Sequence, residues 1–171
     1  MALSLYEISV PALMRGLENL SRQIDKAMVY AREHSVDDAV YVQARLAPDM
    51  LTLAGQVQRA SDTAKFAGAR LAQAQAPGFA DEEVTLDDLK ARIAKTIEYL
   101  QGVQAGSVDG GEKREIRFKA GPRELHFTGE DYVRNFVLPN FYFHLTTAYG
   151  LLRQKGVPLG KLDYLGTIQA A

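Results

Sequence analysis

One histidine in this sequence stands where chemistry could be done. His144 follows Asn140 by four positions, so on a helix the two side chains are neighbours on one face. Tyr142 lies between them, and upstream Asp49 and Gln56 are seven apart, nearly one line of another helix. An imidazole can act as a general acid–base near neutral pH, with Asp49 or Tyr142 nearby in support. It can also ligate a divalent ion, but amides are poor partners in that task. Zinc-like ions prefer imidazole, thiolate or carboxylate. The plainer reading is a satisfied polar cluster, because a buried amide and a buried imidazole must each find a hydrogen-bond partner. The candidate pocket is Asp49, Gln56, Asn140, Tyr142 and His144. His144 is the candidate catalytic group, and no metal or other cofactor is expected.

These residues need long helices to bring them together. The stretch from Thr128 to Gly156 reads as one. Thr128 can cap it, with Glu130 and Asp131 at the positive end of the dipole and Arg153 and Lys155 at the negative end. Gly156 follows as a stop residue. Val133, Val137, Asn140, His144, Thr147 and Leu151 fall on one face in steps of three and four. Tyr132, Phe136, Pro139 and Phe143 form a second row. Pro139 lacks an N–H and clashes one turn back, which predicts a kink near Asn135.

Three further helices are legible. Ser9 can cap the first, with Pro11 in its first turn and a stripe of Val10, Leu13, Leu17, Leu20, Ile24, Ala27 and Ala31. After the break at Ala47-Pro48, a second helix is expected over 49–73. Its stripe is Met50, Leu53, Val57, Ala60, Ala64, Ala67 and Leu71, with Gln56 at the border. Asp62 falls off that stripe and is expected to pair with Arg59 or Lys65 on the surface, where ion pairs contribute little. Thr85 and Asp88 resemble a capping box opening the third helix, over 85–103, whose stripe is Leu86, Leu89, Ile93, Ile97, Leu100 and Val103. Charged and apolar residues alternate across 114–127 around Ala120-Gly121-Pro122, which predicts a β-hairpin. Such a ribbon is marginal alone and should pack on the helices. His34 and His126 are expected at the surface. The tail after Gly156 reads as irregular, with Leu162, Tyr164 and Leu165 docking on the bundle. The whole, residues 1–171, is read as one all-α domain, a four-helix bundle with a hairpin before the last helix.

Composition narrows the function. The chain has 171 residues, 24% charged and 47% hydrophobic, ordinary for a globular protein. Its net charge of −1 argues against a nucleic-acid surface. Cysteine is absent, which removes disulfides, a thiolate nucleophile and cysteine ligands. The start, MALSLYEISVPALMRG, lacks the basic and long apolar regions of a secretory signal, and no apolar run is long enough to span a bilayer. A cytoplasmic protein without a membrane partner is expected.

Several segments resemble the DinB/YfiT-like superfamily, and within it a bacterial group described only as a domain of unknown function. They are Ala47-Pro48-Asp49-Met50, Gln56-Val57-Gln58, Leu89-Lys90-Ala91-Arg92-Ile93, Phe127-Thr128-Gly129 and Leu138-Pro139-Asn140-Phe141. The resemblance covers nearly the whole chain. It implies a four-helix bundle, often dimeric, whose metal-binding members hold a divalent ion with three histidines. One comes from the second helix and two from an HxxxH on the last, the second of these followed nine residues on by the arginine of a Leu-Leu-Arg ending. His144 is so followed by Arg153, which makes His144 similar to that second histidine. The first would fall on Asn140, and the second-helix histidine near Gln56. Neither is a histidine.

Two functions stay open. One is a small-ligand-binding or structural module, expected to form a homodimer, whose metal pocket has degenerated. The other is a DinB-like transferase or hydrolase acting on a small molecule through His144.

Overall fold

The computed structural model describes residues 3–168. Helix α1 spans Leu5–Glu33, and a short α2 spans Ala39–Val42. Helices α3 (Leu53–Leu71) and α4 (Leu86–Gln101) follow, then a short α5 (Ala105–Val108). Strands β1 (Glu115–Ala120) and β2 (Arg123–Thr128) form an antiparallel hairpin. The last long helical stretch is built from α6 (Gly129–Tyr132), a π-helical turn (Val133–Val137) and α7 (Leu138–Gln154). A final turn, α8, covers Lys161–Leu165. Four long helical stretches with a hairpin before the last make this a predominantly helical bundle, as the sequence predicts.

The expected stripes form the core. Leu13, Leu17 and Ile24 of α1, Val57, Ala60 and Ala64 of α3, and Leu86, Leu89 and Ile93 of α4 are fully buried. Two helix starts differ from expectation. α1 begins at Leu5, because Ser4 and Glu7 close a capping box that captures the first turn. Ser9 is therefore inside the helix, buried, with its hydroxyl donating to the Leu5 carbonyl at 2.6 Å, and Pro11 is interior. α3 begins at Leu53 rather than Asp49. The Thr52 hydroxyl accepts from Gly55 N–H at 3.1 Å, so the residues after Pro48 are spent on a turn. Thr85 and Asp88 form the expected box.

The break at Pro139 takes the form of the π turn. Leu138 N–H reaches back five residues to the Val133 carbonyl. The wider turn accommodates the proline ring, whose missing N–H would otherwise leave a strained α turn. One extra residue in the turn also rotates the helix beyond it. The buried face of α7 is centred on Phe141, Leu145, Ala148 and Leu152, and Asn140 lies at its edge. Of the second row, Tyr132 is buried and Phe136 half-buried, whereas Phe143 is 55% exposed.

The hairpin turns at Gly121-Pro122, with Gly121 at φ +59°, as a two-residue hairpin loop of this hand requires. It packs on the bundle through aromatic rings. Phe118 lies 5.1 Å from Phe136 and 5.5 Å from Tyr132, edge to face. The Arg70 guanidinium of α3 sits 3.9 Å from the Phe118 ring centre and donates to the Tyr132 hydroxyl at 2.8 Å. Among the described residues, no helix is long and apolar enough to cross a membrane.

Candidate functional site

α3 and α7 share the largest helix–helix interface of the bundle, and polar side chains mark its edge. The Leu53–Val57 and Phe141–Leu145 stripes pull the two helices together, which forces Gln56 and His144 face to face. Gln56 is 1% exposed and His144 8%. His144 Nδ1 lies 2.8 Å from Gln56 Oε1. The Gln56 amide nitrogen donates to the Leu51 carbonyl at 3.3 Å, so its oxygen is the end left for the ring. His144 then carries its proton on Nδ1 and donates to Gln56. Burial, seconded by the positive charge of Arg59, pushes the His144 pKa down from 6.5 to about 4. At neutral pH this imidazole is uncharged.

A turn along the seam, Asn140 donates to the Thr63 hydroxyl at 2.7 Å, and Thr63 donates to the Arg59 carbonyl at 2.7 Å. The pairs Gln56–His144 and Thr63–Asn140 run in opposite senses along the two helices, which are therefore antiparallel. Asn140 and His144 are neighbours on the helix, but each is satisfied across the interface.

The other two candidates lie elsewhere. Asp49 is exposed in the turn before α3, because that helix begins four residues later than expected. The alignment of Asp49 with Gln56 along one helix does not exist. Tyr142 is two residues from His144, hence on the opposite side of α7. It lines a separate cleft with Arg15, Asn19 and Tyr164. His34 is exposed at the end of α1, stacked on Tyr30, and His126 is exposed on β2.

The three-histidine arrangement does not fit this set. Gln56 Oε1 is taken by His144, and Asn140 is turned towards Thr63. Among the described residues, no three His, Cys, Asp or Glu side chains converge so as to hold a metal ion. One imidazole with two engaged amides offers a divalent ion a single good ligand.

Sequence reasoning missed a second polar cluster. Asp62 pairs with Arg59 and Lys65 as expected, but it is not a surface residue of little consequence. Its carboxylate accepts from Lys65 at 3.0 Å and from Arg92 at 3.0 Å, and both cationic side chains are almost fully buried. Arg92 also donates to Ser61 Oγ at 3.1 Å, to the Ala80 carbonyl at 2.9 Å and to Glu83 at 2.9 Å. Burial disfavours its charge, but the bond to Glu83 and the charges of Glu83, Asp62 and Asp81 outweigh that and raise its pKa. The signal was present. Leu89, Arg92, Thr96 and Leu100 follow in steps of three and four, which puts the arginine on the core face.

A four-helix bundle with a hairpin before its last helix, and a lone histidine on the seam of α3 and α7, defines the class. A crystal structure of a DinB family member protein from Shewanella denitrificans is 38% identical. The match covers 98% of this chain and 94% of that one, at a TM-score of 0.90. Residues 5–165 match the family described as a domain of unknown function (DUF1993), and the chain belongs to that family within the DinB-like fold. Among curated proteins, none matches.

Proposed function

We propose that this chain is a metal-independent DinB-like module, structural or small-ligand-binding, in which a neutral hydrogen-bonded seam stands where metal-binding relatives hold their ion. The observation that carries this reading is the 2.8 Å bond from His144 to Gln56. It uses the imidazole proton and ties α3 to α7, while burial keeps the ring uncharged. The enzyme reading is weaker on the same geometry. A base with a pKa of about 4 takes a proton poorly at neutral pH. The two residues expected to assist, Asp49 and Tyr142, lie elsewhere.

The test is His144→Ala. A structural seam predicts a loss of about 1–3 kcal/mol in urea unfolding, the usual cost of stranding a buried partner. Undiminished stability would overturn the structural form of the proposal and leave ligand binding as the role of the seam. Zinc or nickel retained stoichiometrically by the wild type after dialysis against a chelator would overturn the metal-independent claim.

We also propose a homodimer, assembled on the face beside the seam. Leu46, Leu51 and Phe143 expose 43%, 44% and 55% of their surface, apolar area that a second copy would cover. Light scattering should report twice the chain mass at micromolar concentration, and a monomer would count against this.

A further inference from the structure

The cleft that holds Tyr142 lies on the far side of α7 from His144. It encloses about 230 Å³ between α1, α7 and α8. The roof over it is fixed by specific bonds. The Asn19 amide donates to the Tyr164 carbonyl at 3.0 Å, and the Gln23 amide to the Asp163 carbonyl at 3.3 Å. Lys26 pairs with the Asp163 carboxylate at 2.6 Å, and the Tyr164 hydroxyl lies 2.9 Å from that of Thr146. Gly166 then turns the chain at φ +73°, where a Cβ would come within 2.4 Å of Asn19 Oδ1. Only glycine lets the backbone close so tightly on that amide.

Two donors in this cleft, both on exposed residues, have no protein acceptor among the described residues. Among the described residues, the Arg15 guanidinium has neither an ion-pair nor a hydrogen-bond partner, and the Tyr142 hydroxyl has none. Burial pushes the Tyr142 pKa up, against the opposing charge of Arg15, so the phenol stays protonated and able to donate. The rest of the wall is largely apolar, from Ala12, Leu145 and Leu165. A guanidinium fork and a phenol donor beside an apolar slot complement an anion with two adjacent oxygens and an apolar body. Glu18 stands at the contiguous opening that Arg15 shares with Arg22. Its charge offsets that of Arg22, which leaves the cleft the single positive charge of Arg15 and so favours a carboxylate over a phosphate dianion.

We propose that the cleft between α1, α7 and α8 binds a small carboxylic acid anion, its carboxylate on Arg15 and Tyr142 and its apolar body against Leu145 and Leu165. This site shares no residue with the Gln56–His144 seam, so either proposal can fail without the other.

The experiment is an NMR titration of the full chain with phenylacetate and with hexanoate. At least one should saturate with a dissociation constant of about 1 mM or below. The shifted amides should include those of Arg15, Asn19, Tyr142 and Tyr164. Arg15→Met keeps a good helix former at an exposed position, and it should weaken binding at least about tenfold, as loss of a charged pair to the ligand would. Tyr142→Phe should weaken it about threefold or more. The neutral isostere phenylacetamide should bind at least about tenfold more weakly than the acid. No saturation by about 10 mM of either acid, unchanged affinity in folded Arg15→Met, equal binding of the amide, or tighter binding of inorganic phosphate than of both acids would each overturn the proposal.

Discussion

His144 couples the fold to pH, and the sign follows from its protonation states. In the unfolded chain its pKa returns to about 6.5, whereas in the fold it is held at about 4. Between those values the unfolded state binds more protons, so stability falls as pH falls. The contribution is fully present above pH 6.5, declines through the window and is gone below about 4. The shift corresponds to at most about 3 kcal/mol. His144→Gln retains a donor for Gln56 but cannot titrate. Urea unfolding of the two proteins at several pH values should show the wild type losing stability relative to the variant between pH 6.5 and 4. Parallel curves would mean that the ring is solvated in the fold. The partnership of Gln56 and His144 was legible in the sequence, because each lies on or beside an apolar stripe. The position of Asp49 was not. A proline signals that a helix is interrupted, but the place where the next one starts is decided by which hydroxyl reaches a free N–H, here Thr52.

At the scale of elements, two polar devices tie helices together by different means. On the α3–α7 seam the groups are neutral, and each bond is local. Between α3 and α4 they are charged, and Arg92 gathers Asp62, Glu83 and the Ala80 carbonyl around one guanidinium. That arrangement fastens the connection after α3, which contains Pro77 and Gly78, against both helices. Such a cluster adds little stability over a well-packed apolar core, but removing one member strands the rest. Arg92→Met should therefore cost about 2–4 kcal/mol, measured by urea unfolding, with protease cleavage in the 74–84 connection rising in parallel. Arg92→Lys should recover only part of this, since an ammonium cannot reproduce the fork. A loss below about 0.5 kcal/mol would put the cluster among ordinary surface pairs. Periodicity assigned Leu89 and Ile93 to the core correctly and passed over Arg92 between them. The spacing puts Arg92 on the core face, but three of its partners, Asp81, Glu83 and the Ala80 carbonyl, come from a connection with no period of its own. The π turn was half legible in the same way. Pro139 announced an irregularity near Asn135, but not the added residue that moved Phe141 to the centre of the α7 face.

At the scale of the molecule, the bundle was readable because its four stripes are long and nearly unbroken. The pocket was readable only in outline, because it depends on how two of those stripes meet. The backbone agrees with the DinB family member at a TM-score of 0.90, while the seam holds one histidine. The proposed loss of a three-histidine site makes a reversible prediction. If the seam occupies the place of a three-histidine site, then positions 56, 140 and 144 already bring three side chains to one edge of the α3–α7 interface. Gln56→His with Asn140→His should restore three imidazoles, leaving the fourth tetrahedral position to water. The double variant should take up about one zinc or nickel ion per chain and gain thermal stability in its presence, as any ligand bound only by the fold must confer. Each single variant, with two imidazoles, should bind at least about tenfold more weakly. The side chain at position 140 must swing from Thr63 towards position 144, a rotamer change on a half-buried residue that leaves the backbone where it is. Metal uptake by the double variant alone would mean that the scaffold keeps the geometry and only the donors have gone. A folded double variant that binds no metal would mean that the helices have also shifted, and that the seam is an independent feature of this family.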